Sequence, residues 1–363
     1  MKDREILNRE IEIRLLDTMT DLIRVVDKDN RVVYYNHAME QALDKLEGAD
    51  EGGEQGDGHA DFRMTARALG SGENIQRETY IGETYYSVKT NPIRSKTGEV
   101  IGAIEVFRDK SLEKRLQIEL IEKNRALMDE QMNAASIQRA LLPQRGYDRF
   151  FFMDYFYIPA ELLSGDFFDI IEIDEDRTAI YIADAVGHGF ASSMATLFIS
   201  QTMRNMDPDI LADPTVAMME LVHRFRDLNL PEDMYFTMFL GVFSKKQRKF
   251  TYANAGHDCP PLLKRKNHVR LLMNSGFPVT PLVEASFYEC RTAYLQKGDE
   301  LLFYTDGITE CRNKRREQYG VGALRALFSE IGEEPLAEIR GALRDFMYED
   351  PADDMTCVYV KMV

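Results

Sequence analysis

The sequence predicts an α+β chain in two folded parts joined by one long helix. Three observations lead there. Five short β-rich runs lie between turns in the first third of the chain. The segment from Ser111 to Leu142 is highly charged and contains neither Gly nor Pro. In the C-terminal part, strand-like apolar runs repeatedly meet an aspartate beside a small residue.

The chain has 363 residues, room for two or three domains, and 44% of them are hydrophobic, enough to bury sizeable cores. A formal net charge of −16 opposes wrapping nucleic acid or lying on an anionic membrane. The short basic clusters Lys245–Lys249 and Lys314–Arg316 read as solvated turns or helix ends. Cys259, Cys290, Cys311 and Cys357 are scattered, with no C-x-x-C pair, which suits free thiols in a reducing cytosol. The first residues lack the apolar core of a signal peptide, and no run approaches the length of a membrane span. A soluble, cytoplasmic protein is expected.

Residues 1–19 read as a helix with Ile6, Leu7, Ile11, Leu15 and Leu16 on one stripe. Leu22–Val26 and Arg31–Tyr35 flank a turn of Asp, Lys and Asn, which spells a hairpin. Asn36 then caps a helix from His37 to Leu46. The Gly- and acid-rich stretch from Glu47 to Asp61 is a loop, followed by strands at Asn74–Ile81, Glu83–Asn91 and Val100–Phe107. This pattern resembles the PAS sensor fold over roughly residues 15–110. Its end, Phe107–Ser111, is similar to the junction that leads from such domains into a helix. Nothing here attaches a cofactor: no cysteine precedes Cys259, and His37 and His59 read as surface or structural residues.

The helix that follows is expected to start at Ser111 as its cap and to stop at Pro143. Leu120, Leu127, Ala134 and Leu141 recur every seven residues, with Asn124, Gln131 and Gln138 in the partner positions. Apolar layers alternating with amides describe a weak coiled coil, and a homodimer through this helix is expected. Packing of a single helix on a neighbouring domain is the other reading. The division is thus 1–110, 111–142 and 143–363.

Four C-terminal segments carry the chemistry: Ser164–Asp169, Ala183–Gly189, Tyr304–Gly307 and Ala352–Thr356. A single Asp-Gly turn means little, since Asp is common in turns. Four, each against an apolar strand, place several carboxylates where rigid backbone can aim them at one point. Such carboxylates repel one another unless a cation neutralises them, and hard divalent ions take carboxylate and carbonyl oxygens. Neither H-E-x-x-H nor a Walker A motif competes.

These blocks resemble the metal-dependent PPM protein phosphatases. The match is to the bacterial branch typified by the stage II sporulation phosphatase and the stress-response sigma-factor regulators. Ala135–Pro143, Tyr252–His257 and Gly298–Gly307 are similar to further family blocks, in the expected order over residues 135–361. The resemblance implies a β-sandwich flanked by helices with two Mn²⁺ or Mg²⁺ ions at one edge. It implies Asp184 bridging both ions, the Ala185 carbonyl as a ligand, and Asp166, Asp306 and Asp353 completing the set. Asp354 stands where eukaryotic relatives usually have Asn; it joins the candidate metal residues, with a part in orienting ligands or water. Ser164 replaces a family glycine. Val186 stands where those relatives carry a histidine, so the general acid is open; His188, two positions on, divides between packing and chemistry. His257 reads as shaping its turn. The implied reaction is hydrolysis of phosphoserine or phosphothreonine on a partner, often in this branch a STAS-type anti-sigma-factor antagonist. A diguanylate cyclase, a histidine kinase and a catalytically silent binding module of the same fold are the rivals. The first lacks the Glu of its signature, and the second lacks a phosphoacceptor His in the helix.

Overall fold

The computed structural model describes residues 14–47, 62–148, 150–187, 189–282 and 288–363. His59, His188, the stripe residues Ile6, Leu7 and Ile11 and the loop expected at 47–61 fall outside the described residues, apart from Glu47 at that loop's start. The chain forms two compact units, Met1–Ala126 and Leu127–Val363.

In the first unit β1 (Leu22–Asp27) and β2 (Val32–Tyr35) form the expected hairpin. The Asn36 side chain accepts from the Met39 N–H at 3.0 Å as the cap of α1 (His37–Glu47), and from the Ile23 N–H at 2.9 Å. Helix α2 (Phe62–Ser71) is not specified by the sequence pattern. After it come β3 (Ile75–Ile81), β4 (Thr84–Arg94) and β5 (Val100–Asp109). The sheet order is β2-β1-β5-β4-β3. Leu22, Met39, Val88 and Phe107 form its apolar core. Beside them Arg24 pairs with the fully buried Glu105, whose other oxygen accepts from Thr65 and Thr90 at 2.8 and 3.0 Å. A buried carboxylate is tolerated there because each oxygen has a donor.

Helix α3 runs Ser111–Leu141. Its start differs from expectation. The Ser111 hydroxyl accepts from the Tyr85 N–H at 2.8 Å, while the Asp109 carboxylate takes the Ser111 N–H at 2.8 Å. The side chain expected to cap is therefore tied to β4, and Asp109 satisfies the helix end.

The second unit has two antiparallel sheets. One has the order β14-β11-β10-β9-β8, from Arg291–Tyr294, Lys249–Ala255, Phe236–Ser244, Arg177–Ala185 and Asp166–Glu172. The other has the order β13-β12-β15-β16-β7-β6, from His268–Leu271, Leu262–Arg265, Glu300–Tyr304, Met355–Met362, Phe151–Ile158 and Gly146–Tyr147. Strand alternation makes three apolar layers. Phe168, Ile180, Ile182, Phe239, Phe303 and Val358 meet between the sheets. Phe167, Tyr181 and Ala183 face α4 (Phe190–Arg204) and α6 (Pro214–Asp227), with α5 (Pro208–Leu211) between those helices in sequence. Tyr304, Cys357 and Tyr359 face α8 (Gly320–Glu330) and α9 (Pro335–Phe346). The result is an α-β-β-α sandwich.

Gly241 on β10 sits beneath the Phe250 ring, and a Cβ there would lie 2.1 Å from Cζ. Gly241→Ala is expected to destabilise this unit by about 1–3 kcal/mol, the usual range for overpacking a core. Urea unfolding checks it: a lower midpoint at unchanged slope is expected, and an unchanged midpoint would mean the ring moves freely.

Candidate active site

The expected aspartates converge on one end of the sandwich because strand pairing brings their blocks together. Asp166 opens β8 and faces Asp184, near the end of β9, as its cross-strand partner. Asp306 opens α7 (Asp306–Glu310), two residues after the end of β15, and Asp353 and Asp354 immediately precede β16, which pairs with β15. Thr305 joins the two sheets. Its hydroxyl donates to Asp166 Oδ2 at 2.7 Å and accepts from the Thr356 N–H at 3.1 Å.

Asp354 is buried, and both its oxygens are engaged: Oδ1 accepts from the Ala160 N–H at 2.8 Å, Oδ2 from the Gly165 N–H at 2.6 Å. It therefore anchors the turn that leads into Asp166. Gly165 is required there, since a Cβ would stand 2.8 Å from the Ala185 carbonyl oxygen. Ser164 fits in place of the family glycine because its hydroxyl accepts from the Asp166 N–H at 3.1 Å. Asp353 is exposed, with Oδ1 accepting from the Asp354 N–H at 2.8 Å.

Gln138, which the repeat pattern placed in a coiled-coil seam, is buried in the second unit. Its amide donates to the Ser164 carbonyl at 2.7 Å and to Thr196 Oγ1 at 2.9 Å, and its Oε1 accepts from the Ser164 N–H at 3.2 Å. Heptad spacing alone cannot distinguish this from a seam position.

The site is electrostatically strained. Burial, then repulsion from Asp306, Asp353, Asp354 and Asp258, pushes Asp184 up to about 8. Asp306 is pushed up to about 6 by burial, Asp353, Asp258 and Glu310, against the Gly307 N–H. Asp166 is raised by burial and by Asp184, against the pull of the neighbouring Thr356 hydroxyl and of its bond from Thr305. Asp258 was not singled out in the sequence; the one signal was its place directly after the Asn-Ala-Gly-His block. As they stand, no three His, Cys, Asp or Glu side chains among the described residues are grouped closely enough to hold an ion. The donors fit a divalent cation by chemistry: oxygens only, in excess negative charge, which a hard ion would offset.

His257 is buried between the Tyr304 carbonyl and the Thr237 hydroxyl. Nε2 lies 3.1 Å from the Tyr304 carbonyl and so donates to it, which leaves Nδ1 to accept from the Thr237 hydroxyl at 3.2 Å. Burial lowers its pKa to about 4. Asn254 fixes the same turn through the His257 N–H and carbonyl, both at 2.8 Å. His257 is thus a neutral brace.

Residues 174–363 match the family model of stage II sporulation protein E, more than half of the chain. The chain belongs to this family. Residues 16–115 match a PAS fold. Within the stage II sporulation protein E match lie Asp184, Asp306, Asp353 and Asp354; Asp166 and Gln138 lie before it. The phosphoserine phosphatase RsbU of Bacillus subtilis is 27% identical over 157 residues, 43% of this chain and 46% of RsbU. The phosphoserine phosphatase RsbP of the same organism is 30% identical over 164 residues, 44% of this chain and 40% of RsbP. The alignments thus span less than half of either relative. The SiaA-PP2C domain of Pseudomonas aeruginosa is similar with a TM-score of 0.56 at 18% identity, over 66% of this chain and 98% of that structure, a likeness of fold.

Proposed function

We propose that the chain is a Mn²⁺- or Mg²⁺-dependent protein phosphatase that hydrolyses phosphoserine or phosphothreonine on a partner protein. The observation that carries this reading is the set of repelling aspartates from both sheets, with Asp184 held at about 8 and Asp306 at about 6, in a chain of this family. Asp166, Asp184, Asp306 and Asp353, with the Ala185 carbonyl, would hold two cations. When bound, these ease ionisation of a water and balance the charge on the phosphoryl oxygens. Asp354 acts from behind: with both oxygens on backbone N–H groups, it orients the Asp166 turn. His257 contributes no proton, since both its nitrogens are engaged. The proton for the leaving serine oxygen comes from water.

A protein substrate is favoured by the rim. Leu162, Val186, Phe190, Met194 and Tyr235 are exposed on the segments that carry or adjoin the aspartates. Phe190 and Met194 share a helix face, and the Val186 N–H bonds the Tyr235 carbonyl at 3.1 Å. Phe190→Ala is expected to raise KM for a phosphoprotein roughly tenfold, as loss of one aromatic contact does, with p-nitrophenyl phosphate turnover unchanged. Equal effects on both substrates would show that the rim does not touch the protein.

The proposed substrate is a STAS-type anti-sigma-factor antagonist and the proposed compartment the cytoplasm, as the sequence resemblance implies; the likeness to two phosphoserine phosphatases supports the phosphoserine part of this reading. Among the described residues no helix is long and apolar enough to cross a membrane. The division 1–110, 111–142 and 143–363 makes the PAS domain the input and α3 the connector. Exposed Leu112, Leu116, Leu120 and Leu127 on α3 favour a homodimer along it. A catalytically silent binding module is the second reading, favoured by the absence of a ready-made group of three donors among the described residues. Phosphate release from a phosphoserine STAS-type protein, measured with and without Mn²⁺, separates the two. A folded, Mn²⁺-binding chain that releases none is the binding module.

A further inference from the structure

β8 lies at the edge of its sheet, with β9 as its strand neighbour among the described residues, although it begins at the buried Asp166. An edge strand lacks a ladder on one side, so its position depends on whatever side chains hold it. At the Asp166 end Gln138 grips Ser164. Three residues beyond Asp166 a second grip exists. Asp169 is 1% exposed, and its Oδ2 accepts from Arg204 Nε at 2.6 Å. Arg204 is the last residue of α4, and its Nη2 donates to the Leu141 carbonyl, the last of α3, at 2.8 Å.

We infer that Arg204 is a positioning residue for the cation site, joining the end of α3, the end of α4 and β8 through one guanidinium. This rests on the phosphatase reading for its consequence, though not for its geometry. Helix C-termini carry unsatisfied carbonyls and partial negative charge, so a cation suits this junction. The arginine fork reaches the carboxylate from Nε and the carbonyl from Nη2; a lysine keeps the charge but carries its donors on one nitrogen and loses the span. Burying the carboxylate of Asp169 is costly, and burial raises its pKa against the pull of Arg204. An apolar residue would pack here at less expense. The pair instead fixes the register of β8 against the last turn of α3, and with it the place of Asp166.

The test uses the full chain as wild type, Arg204→Lys and Asp169→Asn. Mn²⁺ binding is measured by calorimetry, and p-nitrophenyl phosphate turnover is followed across a Mn²⁺ titration. Both variants are expected to weaken Mn²⁺ binding, and to raise the Mn²⁺ midpoint of turnover, by about tenfold, the loss typical for residues that orient a metal ligand. Turnover at saturating Mn²⁺ is expected to stay within about twofold of wild type, the signature of a lost positioning contact rather than a lost catalytic one. Unchanged Mn²⁺ midpoints, with only a lower melting temperature, would overturn the inference and leave Arg204 a packing residue. Should Arg204→Lys not fold, Asp169→Asn, which keeps the volume and the Leu141 bond, decides by itself. A wild type that binds Mn²⁺ without turnover would overturn the phosphatase reading instead, and the calorimetric midpoints would still decide the role of Arg204.

Discussion

Asp184→Asn is expected to lower Mn²⁺-dependent phosphate release by at least about 10³-fold, on p-nitrophenyl phosphate and on a phosphoserine protein alike, as loss of several kcal/mol of charge stabilisation requires. Asp184 faces Asp166 across the sheet and is repelled by Asp306, Asp353, Asp354 and Asp258, so four neighbouring carboxylates add to its negative surroundings. Asn keeps the shape and removes the charge. The same substitution has an opposite effect on stability without metal. An unfolded Asp titrates at ~3.9, below the value of about 8 in the fold. The folded state therefore holds the proton more tightly, and this group's stabilising contribution is lost as pH rises from about 4 through about 8. Asn cannot ionise and escapes that loss. At about pH 8 without metal, Asp184→Asn is expected to melt at least ~3 °C above wild type, with the gap closing toward about pH 4. Mn²⁺ should raise the melting temperature of wild type alone. Turnover in the variant near the wild-type level would end the assignment of Asp184, and a lower melting temperature at pH 8 would show that the carboxylate is stabilised by contacts other than a cation.

Much of this site could be read along the chain. Asp166, Asp184, Asp306 and the Asp353-Asp354 pair each adjoin a small residue at the end of an apolar run, a local signal. The alternation of Ile180 and Ile182 with Tyr181 and Ala183 likewise marks a strand buried on both faces. What escaped reading depends on pairs distant in sequence. Thr305 bonds Asp166 across 139 residues, and Asp354 bonds Gly165 across 189. Gln138 has the spacing of a seam residue and the contacts of a site residue. Ser111 has the composition of a cap, yet its hydroxyl goes to a strand. Asp258, next to the braced His257, differs from a surface aspartate only by where the turn of Asn254 points it. In each case the local pattern was sound, and the topology chose among the partners that pattern allowed.

Asp354, with both oxygens on backbone N–H groups, acts on the proposed cation site through the turn that it holds. Asp354→Ala leaves the N–H of buried Gly165 and of half-buried Ala160 without acceptors, at about 1–3 kcal/mol for the buried unmade bond and less for the other. It also frees Gly165, whose carbonyl accepts from the Ala185 N–H at 3.0 Å and which directly precedes Asp166. The expected outcome is a loss of roughly 3 kcal/mol in urea unfolding, in the range for breaking a buried network, together with Mn²⁺ affinity weaker by about 10–100-fold. Asp354→Asn is the informative companion. It keeps one acceptor oxygen and turns an NH₂ toward the other N–H, so it should fall between wild type and Ala in both measurements. A direct ligand would behave differently: Asn and Ala would then lose Mn²⁺ affinity together, while stability without metal would rise as repulsion on Asp184 fell. Graded loss in both, in the order wild type, Asn, Ala, is what a carboxylate with both oxygens on backbone N–H groups must produce.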